Sequence, residues 1–162
     1  HEFQVNMSWW KIACTLCLLS PALYPPTWAS DLLIHTHAGV QSFKVTTATS
    51  HEARLTGLHG WTSLAVDEGM LFIFPEVTQR PFWMKHISIP LDILFIGSDS
   101  EVVDTIQHAE PGAETPLIAD SPFLAALEVN AGTIARMGIR KGDQVYHPLI
   151  RLSADALPDK AY

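Results

Sequence analysis

The chain has 162 residues, 48% of them hydrophobic and 17% charged, which is enough for one domain with a sizeable core. Ten Lys and Arg against 17 Asp and Glu give a formal charge of -7, which excludes the basic footprint that nucleic-acid binding requires. Between His86 and Ala135 there is no Lys or Arg, while eight carboxylates fall there, so this stretch predicts a solvated acidic face or else a cation-attracting patch.

Residues 1–6, HEFQVN, precede the first Met and read as a vector remnant. Residues 7–29 read as a secretory signal: MSWWK carries the single cation Lys11, IACTLCLLSPALY is an apolar run of 13 residues, and Thr27 and Ala29 offer small residues for cleavage after Ala29. The run is short of the roughly 20 residues of a membrane span. The expected product is periplasmic or secreted and does not span a membrane once the signal is removed; an uncleaved anchor is the alternative. The two cysteines of the chain, Cys14 and Cys17, lie inside this segment. The mature domain is then expected to have no disulfide and no thiol nucleophile, and the Cys-x-x-Cys spacing lacks the strand-to-helix context of a redox motif.

A single domain is predicted over residues 31–152, with 153–162 as a C-terminal tail. LLIHTHAGVQSFKVTTAT alternates about Gly39 and predicts a β-hairpin. Ser50 or Thr49 is placed to cap a short helix, HEARLTGL, which Gly57 ends or kinks. VDEG, residues 66–69, is a turn, and GMLFIF, residues 69–74, is a strand covered on both faces. Strands follow at 82–86, 91–97 and 101–109. Residues 111–122 form a Pro-rich loop. FLAALEV is a strand, AGTIARMGI a short helix closing at Gly138, and a last strand lies near 144–150. Eight or nine short strands and two short helices predict an α+β fold, mainly antiparallel, whose sheet is curled or closed into a small barrel.

Five stretches occur in an order that carries a resemblance: Gly57-Leu58, DEGMLFIF at 67–74, FWMK at 82–85, IPLDILFI at 89–96, and LEVNAGTIARMGIRKGDQV at 127–145. Together they make the chain similar to the bacterial and archaeal family called domain of unknown function 192, or uncharacterised ACR, over roughly residues 40–149. The resemblance implies a compact β-rich domain, often carried by exported proteins, with no settled activity. Two positions depart from the family's usual pattern. His59 stands where Met follows Gly-Leu, and His86 and Ile87 stand where Asn and Thr follow Trp-Met-Lys.

The candidate chemistry concentrates in charged groups set among apolar residues. If residues 82–86 are a strand, Phe82, Met84 and His86 share one face and Trp83 and Lys85 the other. Asp92 opens an apolar strand, and Glu128 sits between Leu127 and Val129 in another. An isolated buried carboxylate is costly, so each must be hydrogen-bonded, paired or beside a cavity. Asp92 reads as a turn-capping or salt-bridging group, with Lys85 its nearest cation, or as a pocket carboxylate. Glu128 reads as satisfied by backbone amides or Lys85, or as an acid of raised pKa suited to general acid–base work.

Other motifs carry less. His35 and His37 share a strand face, yet no Cys/His cluster or HExxH supports zinc, and no metal or cofactor is expected. No serine lies in a GxSxG context, and the RKGD segment is explained by turn chemistry.

The leading expectation is a module that binds a small polar or sugar-like molecule at Trp83, Lys85, His86, Asp92, Glu128 and His59. The first alternative is a small hydrolase or lyase using Glu128 or Asp92 with His86 or His59. The second is a structural partner in an envelope complex. The pattern sets no oligomeric state.

Overall fold

The computed structural model describes residues 31–155. The segments expected to be a vector remnant (1–6) and a signal (7–29) lie outside the described residues, as does the C-terminal end from residue 156. Nine strands and three short helices follow one another along the described chain: β1 (Asp31–Thr36), β2 (Gly39–Ala48), α1 (His51–Thr56), β3 (Glu68–Thr78), β4 (Pro81–Phe82), β5 (Leu91–Ile96), β6 (Val102–Ala109), β7 (Leu117–Ile118), β8 (Phe123–Asn130), α2 (Thr133–Met137), β9 (Gln144–Tyr146) and α3 (Pro148–Asp155).

Seven strands form one sheet in the order β6-β5-β8-β3-β2-β1-β9. Its two outer strands curl toward each other and meet at a bridge between Glu101 and Gln144. Backbone bonds from the Val102 N–H to the Asp143 carbonyl (3.0 Å) and from the Val145 N–H to the Ser100 carbonyl (2.8 Å) hold that seam. The fold is therefore α+β with a curled, barrel-like sheet.

The continuous apolar runs have a direct cause. Leu71 and Ile73 of β3, Leu94 and Ile96 of β5, and Leu127 and Val129 of β8 face the inside of the curl. There they meet Leu32 and Ile34 of β1, Val145 of β9, and Ile134 and Ile150 from α2 and α3. The alternate residues, Met70, Phe72, Phe74, Ile93, Phe95 and Ala126, pack on the outer face under Leu58, Phe82, Met84, Ile89 and Ala119. Both faces of the three central strands are thus covered, which removes the polar alternation of an ordinary antiparallel strand.

Phe82 shows how the outer layer is held. Its ring lies 5.5–6.2 Å from those of Phe72, Phe74, Phe95 and Phe123. Burying such a ring is worth roughly 1.5–3 kcal/mol, and edge-on aromatic pairs add about 0.5–1.5 kcal/mol each. That anchors a strand of two residues, which pairs with β7 in a small second sheet.

The main sheet is mainly antiparallel, as expected, with one parallel pair, β2 with β3; α1 and the loop after it supply the crossover that parallel strands need. Three expectations are corrected. The strand expected at 82–86 ends at Phe82, and residues 83–86 are not strand. The Ile87 N–H donates to the Met84 carbonyl (3.0 Å), closing a turn that the Gly112 N–H, bonded to the same carbonyl (3.0 Å), fixes to the loop opposite. The Pro-rich loop at 111–122 contains β7, and the last strand stops at Tyr146, where Pro148 starts a third helix that runs through residues 153–155. A proline at the first helical position favours that switch, since its missing N–H would be unpaired there anyway.

Candidate functional site

Glu128 lies on β8 with Met70 of β3 on one side and Ile93 of β5 on the other. Residues paired across a sheet share a face, so its carboxyl points out from the curl, toward the outer layer. It is 6% exposed, and among the described residues it has no hydrogen-bond or ion-pair partner. Burial alone pushes its pKa up to about 8; none of the neighbouring cations draws it back down. Near neutral pH this group is largely a protonated acid that can donate a hydrogen bond.

The carboxyl lines a cavity of about 620 Å³ between the outer face of the sheet and its covering layer. Phe72, Phe74 and Phe82 give the cavity an apolar lining. One wall is α1 and the turn that follows it. The Ser50 hydroxyl caps α1 by accepting from the Ala53 N–H (3.0 Å), a bond that offsets one of the unpaired donors of a helix start. Gly57 ends the helix at φ 48° and ψ -135°, a conformation open to glycine and strained for other residues, and the chain then turns His59 toward the cavity. The opposite wall is the turn at Met84–Ile87. Met84 plugs the core at 1% exposure, while Lys85 and His86 stay exposed at the cavity lining.

His86 has φ 64°, a left-handed conformation that Asn, Asp and His tolerate better than most residues. A turn at this place explains why an Asn position accepts His. The imidazoles of His59 and His86 then face each other with ring centroids 5.4 Å apart. The two positions that depart from the family's usual pattern are therefore neighbours in space.

The structure brings Glu128, His59, Trp83, Lys85 and His86 to one cavity and leaves Asp92 out. Asp92 pairs across the sheet with Val129, the residue after Glu128, so the two carboxylates point to opposite faces and cannot work as a pair. Asp92 is fully buried. Its oxygens accept from the backbone N–H groups of His108 (2.9 Å) and Ile134 (2.9 Å). Ile134 lies in the first turn of α2, whose cap residue Gly132 has no side chain to offer. Asp92 supplies that cap from across the fold and is structural. Its pairing with Lys85, allowed by the sequence, does not occur.

Two lining residues are not singled out by the sequence pattern. Arg54 lies within the expected helix HEARLTGL, and Arg80 falls in no expected element. Both guanidinium groups stack on Phe74, at 5.4 and 4.0 Å from the ring centroid. No local signal in the sequence marks them, because their place with Lys85 at the cavity depends on the fold that puts Phe74 beneath both guanidinium groups. Among the described residues no three His, Cys, Asp or Glu side chains are grouped to hold a metal ion, and no helix is long and apolar enough to cross a membrane.

The fold is shared with two solved structures. A protein of unknown function from Novosphingobium aromaticivorans is 38% identical with a TM-score of 0.70, over 72% of this chain and 83% of that one. A protein from Sinorhizobium meliloti, proposed to be a transcription regulator, is 34% identical with a TM-score of 0.69, over 72% of this chain and 91% of that one. No curated protein matches the chain. The model of the domain of unknown function 192, Uncharacterized ACR, matches residues 33–147, the span that holds the sheet, Glu128 and the cavity. On that match and those identities, the chain belongs to the domain of unknown function 192 family.

Proposed function

We propose that this domain is an exported small-molecule-binding module whose ligand occupies the cavity above Glu128. One observation carries the reading: a buried carboxyl with no partner among the described residues lines a cavity large enough for a small ligand. Burying a polar group without a hydrogen bond costs about 1–3 kcal/mol, and a bound acceptor would offset that cost. The apolar lining with a few convergent polar groups is the usual make-up of a ligand site. Export is proposed from residues 7–29 alone, and it places the domain in the periplasm or outside the cell. The role proposed for the Sinorhizobium protein is not carried over, because a net charge of -7 opposes contact with DNA phosphates.

A thermal-shift screen of small polar metabolites and sugars tests the reading, since a ligand selective for the folded state raises its stability. A binder that stabilises the native protein and loses its effect in Glu128→Gln supports it. A binder that stabilises both proteins equally, or a screen with no binder, counts against it.

A second reading has its own observation. Glu128, with a pKa of about 8, shares the cavity lining with two imidazoles, the parts needed for proton transfer in a small hydrolase or lyase. Consumption of a bound compound, abolished by Glu128→Gln, would convert the binding module into an enzyme.

A further inference from the structure

The cavity has a cationic side that the proposed binding role does not by itself require. Arg54, Arg80 and Lys85 line it, although the chain carries 17 Asp and Glu that could have neutralised them. The ion pairs among the described residues, Lys44–Asp67 and Lys141–Asp104, lie elsewhere. Glu76 and Glu128 are the carboxyl residues of the lining, and neither forms an ion pair with these cations.

Both guanidinium groups are held in place by more than their stems. Arg54 Nη1 donates to the backbone carbonyls of Thr49 and Ile73, the latter at 2.9 Å. Arg80 Nη2 donates to the Glu76 carbonyl at 3.1 Å. A guanidinium carries five N–H donors in a fixed plane, so these bonds leave three on Arg54 and four on Arg80. Both stack on Phe74 and both line the cavity. Burial draws the Arg80 pKa down and the Arg54 charge adds to that, against the opposing pull of Glu76. Two partly buried cations on one aromatic ring, each with free donors and neither in an ion pair, are arranged for a counter-ion from outside.

We infer that the ligand is a small organic oxyanion, a carboxylate or phosphate bound between Arg54 and Arg80, whose flat apolar body lies against Phe72, Phe74 and Phe82. A second oxygen of the ligand, uncharged, meets the Glu128 carboxyl group. This assignment rests on the binding role proposed above and adds the charge and shape of what is bound.

Calorimetric titration of the full chain with benzoate, phenyl phosphate, benzyl alcohol and benzylammonium tests it. Either anion, or both, is expected to bind, with benzyl alcohol about tenfold weaker or more and benzylammonium not binding. The better anion reports whether the pair prefers a carboxylate or a phosphate. Arg80→Gln is expected to weaken the anion about tenfold or more and to leave the melting temperature of the unliganded protein nearly unchanged. Arg54 also ties α1 to β3, so its loss can disturb the fold; Arg80→Lys, which keeps the charge and loses the planar fork, is the second variant and is expected to bind more weakly than the native protein. Benzyl alcohol binding as tightly as the anions, or anion binding unchanged in Arg80→Gln, overturns the oxyanion assignment and leaves the binding module standing. If none of the four probes binds, the oxyanion assignment falls, and the metabolite screen decides the binding module separately.

Discussion

Burial lifts the Glu128 pKa to about 8, whereas a glutamate in an unfolded chain titrates near 4.3, at about its reference value. Between these values the folded protein holds a proton that the unfolded chain has released. Stability is therefore expected to fall as pH rises through this window, by up to about 1.4 kcal/mol per pH unit from this group. The contribution is fully present below the unfolded pKa and fully lost above the folded one. Glu128→Gln keeps the shape and removes the titration. Urea denaturation at pH 5 and at pH 8.5 should show the native protein weakening by several kcal/mol more than the variant. An identical loss in both proteins would assign the pH dependence to other groups. The burial of Glu128 is legible in its apolar strand, but its missing partner is not, because AALEVNA fits a satisfied glutamate as well as an orphaned one.

Asp92 shows what one side chain does for several elements. Its two oxygens join β5 to the backbone of β6 and to the first turn of α2. Asp92→Ala would leave two N–H groups without their acceptor in a region of low exposure. The expected loss is about 3 kcal/mol or more, from two charge-assisted bonds and the desolvation left unpaid. Asp92→Asn retains one acceptor and should cost less. Denaturation of both variants, with ligand affinity unchanged in any folded fraction, would separate this structural role from a binding role; weaker binding by a well-folded Asp92→Asn would contradict it.

Element by element, the legible parts were those with a local cause. Ser50 and Gly57 mark the ends of α1, and the apolar runs mark β3, β5 and β8. The turn at Met84–Ile87 was not legible, because its residues alternate in burial as a strand would. Phe82 and Met84 are buried while Trp83 and Lys85 are exposed, so a five-residue window cannot separate the two. β7 has two residues and therefore no period to read.

Across the whole molecule, stability is expected to be unevenly distributed. β3, β5 and β8 are covered on both faces, whereas α1 has no buried residue and depends on its cap and on Arg54. Amide hydrogen exchange should be slowest in the three central strands and faster by orders of magnitude in α1. Equal protection of α1 and β8 would mean that the outer layer is part of one cooperative core. If the difference holds, the wall of the cavity that carries Arg54 and His59 can open without unfolding the sheet, which gives a ligand its way in.

The sequence by itself determined the family, the β-rich α+β class, the doubly covered central strands and the residues from which a site could be made. Those rest on patterns within single segments: apolar runs, caps, glycines and the order of short motifs. Tertiary structure decided which of the charged residues meet. Asp92 and Glu128 are equally plausible partners in a linear reading, and one residue of register between β5 and β8 sends them to opposite faces of the sheet. Arg54 and Arg80 lie 26 positions apart, yet both guanidinium groups stack on one ring, Phe74. Side-chain direction in a sheet has a period of two, so a site built across strands depends on long-range pairing that no local pattern contains.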